Sequence, residues 1–210
     1  MVSLDLQIPY LGCAVADVSL ALPGTFAGSQ ILTVGNLTLT MATLRGQSFA
    51  GEYKARLYGG FGGWPTTLTA QAYQNPGGLM ASTILKDAAA NVGEQVNVVS
   101  DYTVGQFWTV EAKAAAYQLR ILASLWWTDP ATGITQVNDA RPSSKITSDF
   151  EVIDYEPGKG LFKITTEDPA SWMPGNTFVN AFLPTTFTIS STRIVCAEDG
   201  DMHLSVLSTS

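Results

Sequence analysis

The spacing of apolar positions divides the chain into three stretches. From Ser3 to about Ala72 the period is two. Leu4, Leu6 and Ile8 alternate with other residues, and Val15, Val18 and Leu20 do so with one slip. Ile31, Leu32, Val34, Leu37, Leu39 and Met41 continue the pattern around a Gly35-Asn36 turn. Phe49, Tyr53, Ala55, Leu57 and Tyr58 predict a further strand, which closes in Gly59-Gly60-Phe61-Gly62-Gly63-Trp64-Pro65. Five glycines or prolines in those seven residues cannot hold a regular element, so the chain bends or makes a close backbone approach there.

The period then changes. After Tyr73-Gln74-Asn75-Pro76-Gly77-Gly78, the segment Leu79 to Val92 sets Leu79, Met80, Thr83, Ile84, Asp87 and Ala88 at helical spacing, with Gly93 as its C-terminal stop. A second alanine-rich stretch, Ala112 to Leu125, puts Ala115, Leu119, Leu122 and Leu125 on one face. Asp129-Pro130-Ala131-Thr132-Gly133 reads as a hairpin turn between Trp126-Trp127 and Ile134–Val137. From Asp149 the strand pattern returns: Phe150, Val152 and Ile153, a Glu156-Pro157-Gly158-Lys159-Gly160 turn, then Leu161, Phe162 and Ile164. A last pair, Thr192 to Ala197 and Met202 to Leu207, is joined through Glu198-Asp199-Gly200-Asp201, a strong hairpin signal. The expectation is a mainly β chain with a small α-containing insertion: a first β region over 1–72, the insertion over 73–128, and a second β region over 129–210.

Charge alters this picture. Asp, Glu, Lys and Arg make up 14% of the 210 residues, against about 25% in an ordinary soluble domain. So neutral an exterior points to surface covered by partners. The net charge of −7 is uneven, since residues 1–148 hold nine acids and eight bases whereas 149–210 hold nine acids and three bases. Without clustered Lys and Arg, a nucleic-acid binder is disfavoured. Lys54 and Arg56, around Ala55, read as a solvated strand face. The longest apolar run, Ile121 to Trp127, is too short to span a bilayer, so no membrane insertion is expected. Met1-Val2-Ser3-Leu4-Asp5 does not read as a secretory leader, which makes reduced thiols the expectation for Cys13 and Cys196. Two cysteines and one histidine, His203, are too few for a structural zinc site.

Catalytic signatures are thin. Gly46-Gln47-Ser48-Phe49-Ala50 approximates a nucleophile elbow, with His203 downstream, yet both its flanks read as strands rather than strand and helix. His203 reads as a surface or edge residue. Glu156 to Gly160 lacks the long loop and following helix that cradle a phosphate. Adjacent carboxylates at Glu167 and Asp168 point to opposite faces of a strand, so a turn before Pro169 explains them better than glycoside chemistry. Asp199 and Asp201 lack a calcium loop around them. Asn36-Leu37-Thr38 matches a glycosylation acceptor only in form. Of the five tryptophans, Trp108, Trp126 and Trp127 sit in or beside apolar runs and read as core. Trp64 and Trp172 lie in Gly/Pro-rich loops and, with Phe61 of the glycine stretch, are the candidates for interface anchors. No residue is assigned to catalysis, a metal or a cofactor.

The order of segments carries a resemblance. A β region ends in Gly51-Glu52-Tyr53-Lys54-Ala55-Arg56-Leu57-Tyr58 and the glycine stretch through Trp64. Ala72-Tyr73-Gln74-Asn75 and the helix Ile84-Leu85-Lys86-Asp87-Ala88-Ala89-Ala90-Asn91-Val92-Gly93-Glu94 follow. Then come Leu122 to Trp127, the Asp129/Gly133 turn and Val152-Ile153-Asp154-Tyr155-Glu156-Pro157-Gly158-Lys159-Gly160. Over about residues 45–207 this resembles the baseplate hub proteins of tailed bacteriophages, related to the hubs of contractile injection systems. The resemblance implies two β-barrel-like tube domains per chain and a homotrimer, whose six similar units join the sixfold tail tube to a threefold central spike. It implies a non-enzymatic virion protein of the tail baseplate, assembled in the host cytoplasm. Its expected partners are its own copies, a tail tube or distal tail protein, the central spike protein and the tape measure protein, with DNA passing through the lumen as non-adhering cargo. The region 149–210 is the expected source of lumen acids.

A reading of another class stands beside it. A β-rich carbohydrate-binding or cell-wall-hydrolysing module would stack sugar on an exposed Trp64 or Trp172 and depend on an acid such as Glu167.

Overall fold

The computed structural model describes residues 3–21, 25–180, 183–197 and 201–209. The expected turn over Glu198-Asp199-Gly200, with the Asp199 of the calcium reading, and the Met1-Val2 start lie outside them. The structure is β-rich with a small α-containing insertion, as the periodicity predicts.

In the first β region, β1 (Ser3–Pro9), β2 (Val15–Ala21), β3 (Ser29–Val34), β4 (Leu37–Phe49) and β5 (Glu52–Gly59) are antiparallel neighbours in the order β1-β2-β5-β4-β3. The second region supplies β11 (Glu151–Glu156), β12 (Leu161–Thr165), β13 (Thr177–Asn180), β14 (Leu183–Cys196) and β15 (Met202–Thr209). Phe49 belongs to β4 rather than to the next strand, because a tight hairpin at Ala50-Gly51, both with positive φ, separates β4 from β5.

The two regions are joined in one hydrogen-bonded ladder. β1 pairs with β14, from Leu4↔Cys196 to Pro9↔Ser191, so one ladder runs β11-β12-β15-β14-β1-β2-β5-β4-β3, with β13 alongside β14. Among the described residues this ladder ends at β3 and β11 without closing on itself. A single hydrophobic core serves both regions. The cause is visible in register. Leu57, Ala16, Leu6, Ile194, Leu204 and Ile164 lie directly across from one another on successive strands, and all are buried. Because side chains alternate faces, this apolar row commits the whole sheet to one buried face, and a one-residue slip would expose it. The first-region side of the core is aliphatic. The second is aromatic: Phe162 stacks on Tyr155 at 4.1 Å and meets Phe178 and Phe187 edge-on at 5.0 and 4.9 Å.

The insertion has its own core, formed by Ile84, Leu85, Ala88, Ala89, Leu119 and Leu122 with Trp64, Leu68, Val110 and Val137. Helix α1 (Ala81–Asn91) fits the helical pattern, and Gly93 follows at φ +74°. Its first turn is capped from a distance, as Ala81 N donates to the Tyr102 carbonyl and Ser82 N to Asp101. Helix α2 (Ala116–Leu122) is shorter than the alanine-rich stretch predicts, since Thr66 and Trp64 carbonyls receive the amides of Ala115 and Ala116 and fix its start. The expected hairpin is β9 (Trp126–Thr128) and β10 (Thr135–Val137), joined in a small sheet by β7 (Val96–Val98). Residues 73–78, to which the pattern assigns no element, and Leu79-Met80, expected to open the helix, belong to β6 (Gln71–Met80), which pairs with β8 (Thr103–Val110) in a bulged two-stranded arm. Among the described residues no helix is long and apolar enough to cross a membrane.

Candidate assembly surfaces

The glycine stretch makes the close approach that its composition predicts. A Cβ on Gly63 would lie 2.0 Å from the Val92 carbonyl oxygen, and one on Gly62 2.7 Å from the Ala42 Cβ. At the centre sits Glu94, only 5% exposed. Its Oε1 accepts from Gly63 N at 2.6 Å and its Oε2 from Phe61 N at 3.3 Å. Burial raises its pKa above the ordinary carboxyl value, against the opposing pull of these amides. Sequence reasoning gives Glu94 no role. A glutamate just past a helix-ending glycine carries no signal that a distant loop will wrap it.

More contacts fasten the insertion to the sheet. Thr40 N donates to the Pro130 carbonyl at 2.6 Å, and Gly12 bridges β9 through Trp126 and Thr128. The Arg141 guanidinium lies over Trp127 and donates to the carbonyls of Tyr10 and Pro9. Burial lowers its pKa to about 10. Cys13 and Cys196 are both free thiols. Burial pushes the pKa of Cys13 up to about 11, which leaves it an inert thiol near pH 7.

Two of the three anchor candidates point inward. Trp172 is 0% exposed, packed against Phe150 and Phe178 at 4.9 and 5.2 Å, because the short 3₁₀ turn Pro169–Ser171 carries it beneath the sheet. Trp64 is 5% exposed, and its Nε1 donates to Thr135 Oγ1 at 2.9 Å inside the second core. Neither indole offers surface to a partner or a sugar, which removes the stacking platforms of the carbohydrate reading. Phe61 is half-buried on the joint. Ser48 is exposed in β4 opposite Tyr53 of β5, and His203 is exposed on β15 opposite Val195. Glu167 is exposed. Asp168 instead holds structure: its carboxylate accepts from Asn36 Nδ2 at 2.6 Å and from Ser171, and these hydrogen bonds lower its pKa. Among the described residues, no group of three or more His, Cys, Asp or Glu side chains could hold a metal ion.

The solvent face of the large sheet is ordered in a way no single motif announces. Beside the buried apolar row runs a polar one. Arg45 is opposite Arg56, Arg56 opposite Asp17, and Asp17 opposite Asp5. Farther along, Arg193 is opposite Ser205, Ser205 opposite Lys163, and Lys163 opposite Asp154. Asp17 receives Arg56 in a two-pronged contact at 2.7 and 2.6 Å, Asp5 receives Arg193 at 2.9 and 2.7 Å, and Asp154 receives Lys163 at 2.8 Å. Their cationic partners draw the carboxyl pKa values of Asp17 and Asp154 down.

No family model and no curated protein sequence matches the chain. Solved structures do. The E. coli c3393 protein, a component of the type VI secretion system with structural similarity to the T4 bacteriophage tail proteins gp27 and gp5, superposes with a TM-score of 0.68 at 11% identity, over 99% of this chain and 72% of that one. The fold is that of phage tail proteins. A tail protein from Neisseria meningitidis MC58 gives 0.61 at 12% identity, over 99% and 91% of the two chains. The 43 kDa tail protein of prophage MuSo2 from Shewanella oneidensis gives 0.63 at 9%, over 99% and 93%. At such identities the shared property is architecture.

Proposed function

We propose that this chain is a structural subunit of a phage tail baseplate or a related injection machine. In this reading it is a hub whose copies form a trimeric ring joining the tail tube to the central spike. The observation that carries the reading is the agreement of nearly the whole chain with tail-protein folds. The sheet supports it physically. Among the described residues its ladder has two unpaired ends, which a lone soluble domain normally shields and which copies around an axis would cover. A tail tube or distal tail protein, the spike protein and the tape measure protein are the further partners of such a ring, located in the virion.

The charged row suits the wall of a DNA conduit. Three of the row's four cations, Arg56, Arg193 and Lys163, are each engaged by a carboxylate and present paired rather than free charge to phosphates, with Arg45 at the row's end. Passage without adhesion requires that balance. The role is non-catalytic in this reading. Size-exclusion chromatography with light scattering tests it: a stable trimer is the expected result, and a monomer that binds peptidoglycan or glycan overturns it.

A further inference from the structure

The large sheet ends in two edges of opposite character. At one end, among the described residues, β3 pairs only with Leu37 to Ala42 of β4, and Leu44 to Phe49 run on past it, Arg45 to Phe49 with β5 on a single side. All six of these residues are exposed, Phe49 at 74%. At the other end β11, also six residues long, has β12 on a single side among the described residues and exposes Ile153 at 62%. Such edges present a row of unpaired backbone donors and acceptors, the template on which another strand adds.

Charge decides which edges meet. The β4 end carries Arg45, set directly across from Arg56, with Lys54 two residues further along β5. Among the described residues Arg45 forms no ion pair. The β11 end carries Glu151, Asp154 and Glu156; Asp154 and Glu156 are paired with Lys163 and Lys159, whereas Glu151 forms no ion pair among the described residues and is the free carboxylate of this edge. Two β4 edges brought together would oppose arginines, and two β11 edges would oppose carboxylates, so contacts between identical edges are disfavoured. A β4 edge against a β11 edge joins unlike charges. That contact is head to tail, and a head-to-tail contact closes into a ring when its rotation permits.

We infer that copies of this chain join through the outer half of β4 on one copy and β11 on the next, with Arg45 facing the carboxylates of the neighbouring β11; this rests on the ring reading above. The partner is a second copy, and Phe49 and Ile153 are the apolar groups the contact covers.

The test uses the full chain in mass photometry and light scattering at low salt, with Arg45→Glu, Glu151→Arg, the two combined, and Ser48→Pro, which blocks the edge. Each single reversal is expected to raise the dissociation constant of the assembly by roughly tenfold, and the combined swap to restore it. Ser48→Pro is expected to leave monomers. Melting curves of the reversals should match wild type, because both positions are exposed. As a second readout, Gln47→Cys with Ile153→Cys, in a Cys13→Ser, Cys196→Ser background, should give an oxidised ladder that stops at the closed ring. Rings that persist in Arg45→Glu and Ser48→Pro alike, or a swap that fails to restore, overturn the edge assignment and leave the ring standing. A wild-type chain that stays monomeric at every concentration overturns both.

Discussion

Glu94 shows how one side chain can hold two parts of a fold together. Two backbone amides of the glycine stretch point at a carboxylate that water scarcely reaches, so removing it strands both donors in the joint. Glu94→Ala should cost about 2–3 kcal/mol, read as a fall in melting temperature. The pH dependence has a definite sign. Burial raises the folded-state pKa of Glu94, so its contribution to stability is complete below the ordinary value of 4.5 and is lost as pH climbs through the raised one. Urea melts from pH 4 to 7 should therefore show a downward slope that Glu94→Gln lacks. Gly63 obeys a steric version of the same constraint. Gly63→Ala would drive a Cβ into the Val92 carbonyl and against the Glu94 side chain, and because the carbonyl is backbone the expected cost is about 3 kcal/mol or more. Trp172 is the residue at which composition misled: proline and glycine neighbours suggest a surface loop, but the 3₁₀ turn before it lowers the indole into the core. Trp172→Ala should therefore cost about 3–5 kcal/mol in chemical denaturation, as a core truncation does.

The same 3₁₀ turn ties together elements that the sequence separates by more than 130 positions. The Asn36 amide at the β3–β4 turn donates to the Asp168 carboxylate and accepts from Ala170 N, while a Cβ on Gly35 would sit 3.0 Å from Pro169. This contact folds one end of the long sheet onto the second region. Asn36→Ala and Asp168→Ala should each destabilise by about 1–2 kcal/mol, and together by less than their sum, a coupling that a double-mutant cycle in urea measures. The Gly35-Asn36 turn, the β9–β10 hairpin, the Glu156 to Gly160 turn and helix α1 are legible in the sequence because each is specified locally, by turn residues or by a periodic apolar face. Arm strand β6 is not, since most of its residues are exposed on both faces and Pro76-Gly77-Gly78 sits in a bulge between Gln74 and Leu79. No alternation exists there to be read. The Ala50-Gly51 hairpin is hidden for another reason: an alanine at φ +51° is an uncommon turn residue, and only pairing with β5 identifies it. The β1–β14 ladder, which merges the two β regions, is beyond local pattern altogether, because register between strands nearly two hundred residues apart is set by the shared core.

At the scale of the whole molecule, a net charge says less than where its ions pair. The chain is acidic, yet the solvent face of the sheet is close to balanced, with Asp5 and Asp17 on adjacent central strands each gripping an arginine from a flanking one. Two carboxylates directly opposite each other would repel, and the flanking guanidiniums offset that cost. If this face lines a conduit, the pairs matter for what they withhold: an arginine engaged in both prongs by a carboxylate has little left for a phosphate. Asp5→Asn with Asp17→Asn would release Arg193 and Arg56 without changing the shape of the wall. Fluorescence anisotropy with a labelled duplex at about 50 mM salt should show negligible binding by wild type and clear binding by the double variant. The affinity of the variant should fall with salt at a log–log slope near about −2, as expected for two phosphates neutralised. Wild-type binding as tight as that of the variant would refute the idea that pairing keeps this face from holding DNA. A variant that gains affinity with no salt dependence would mean that the gain comes from something other than the freed arginines.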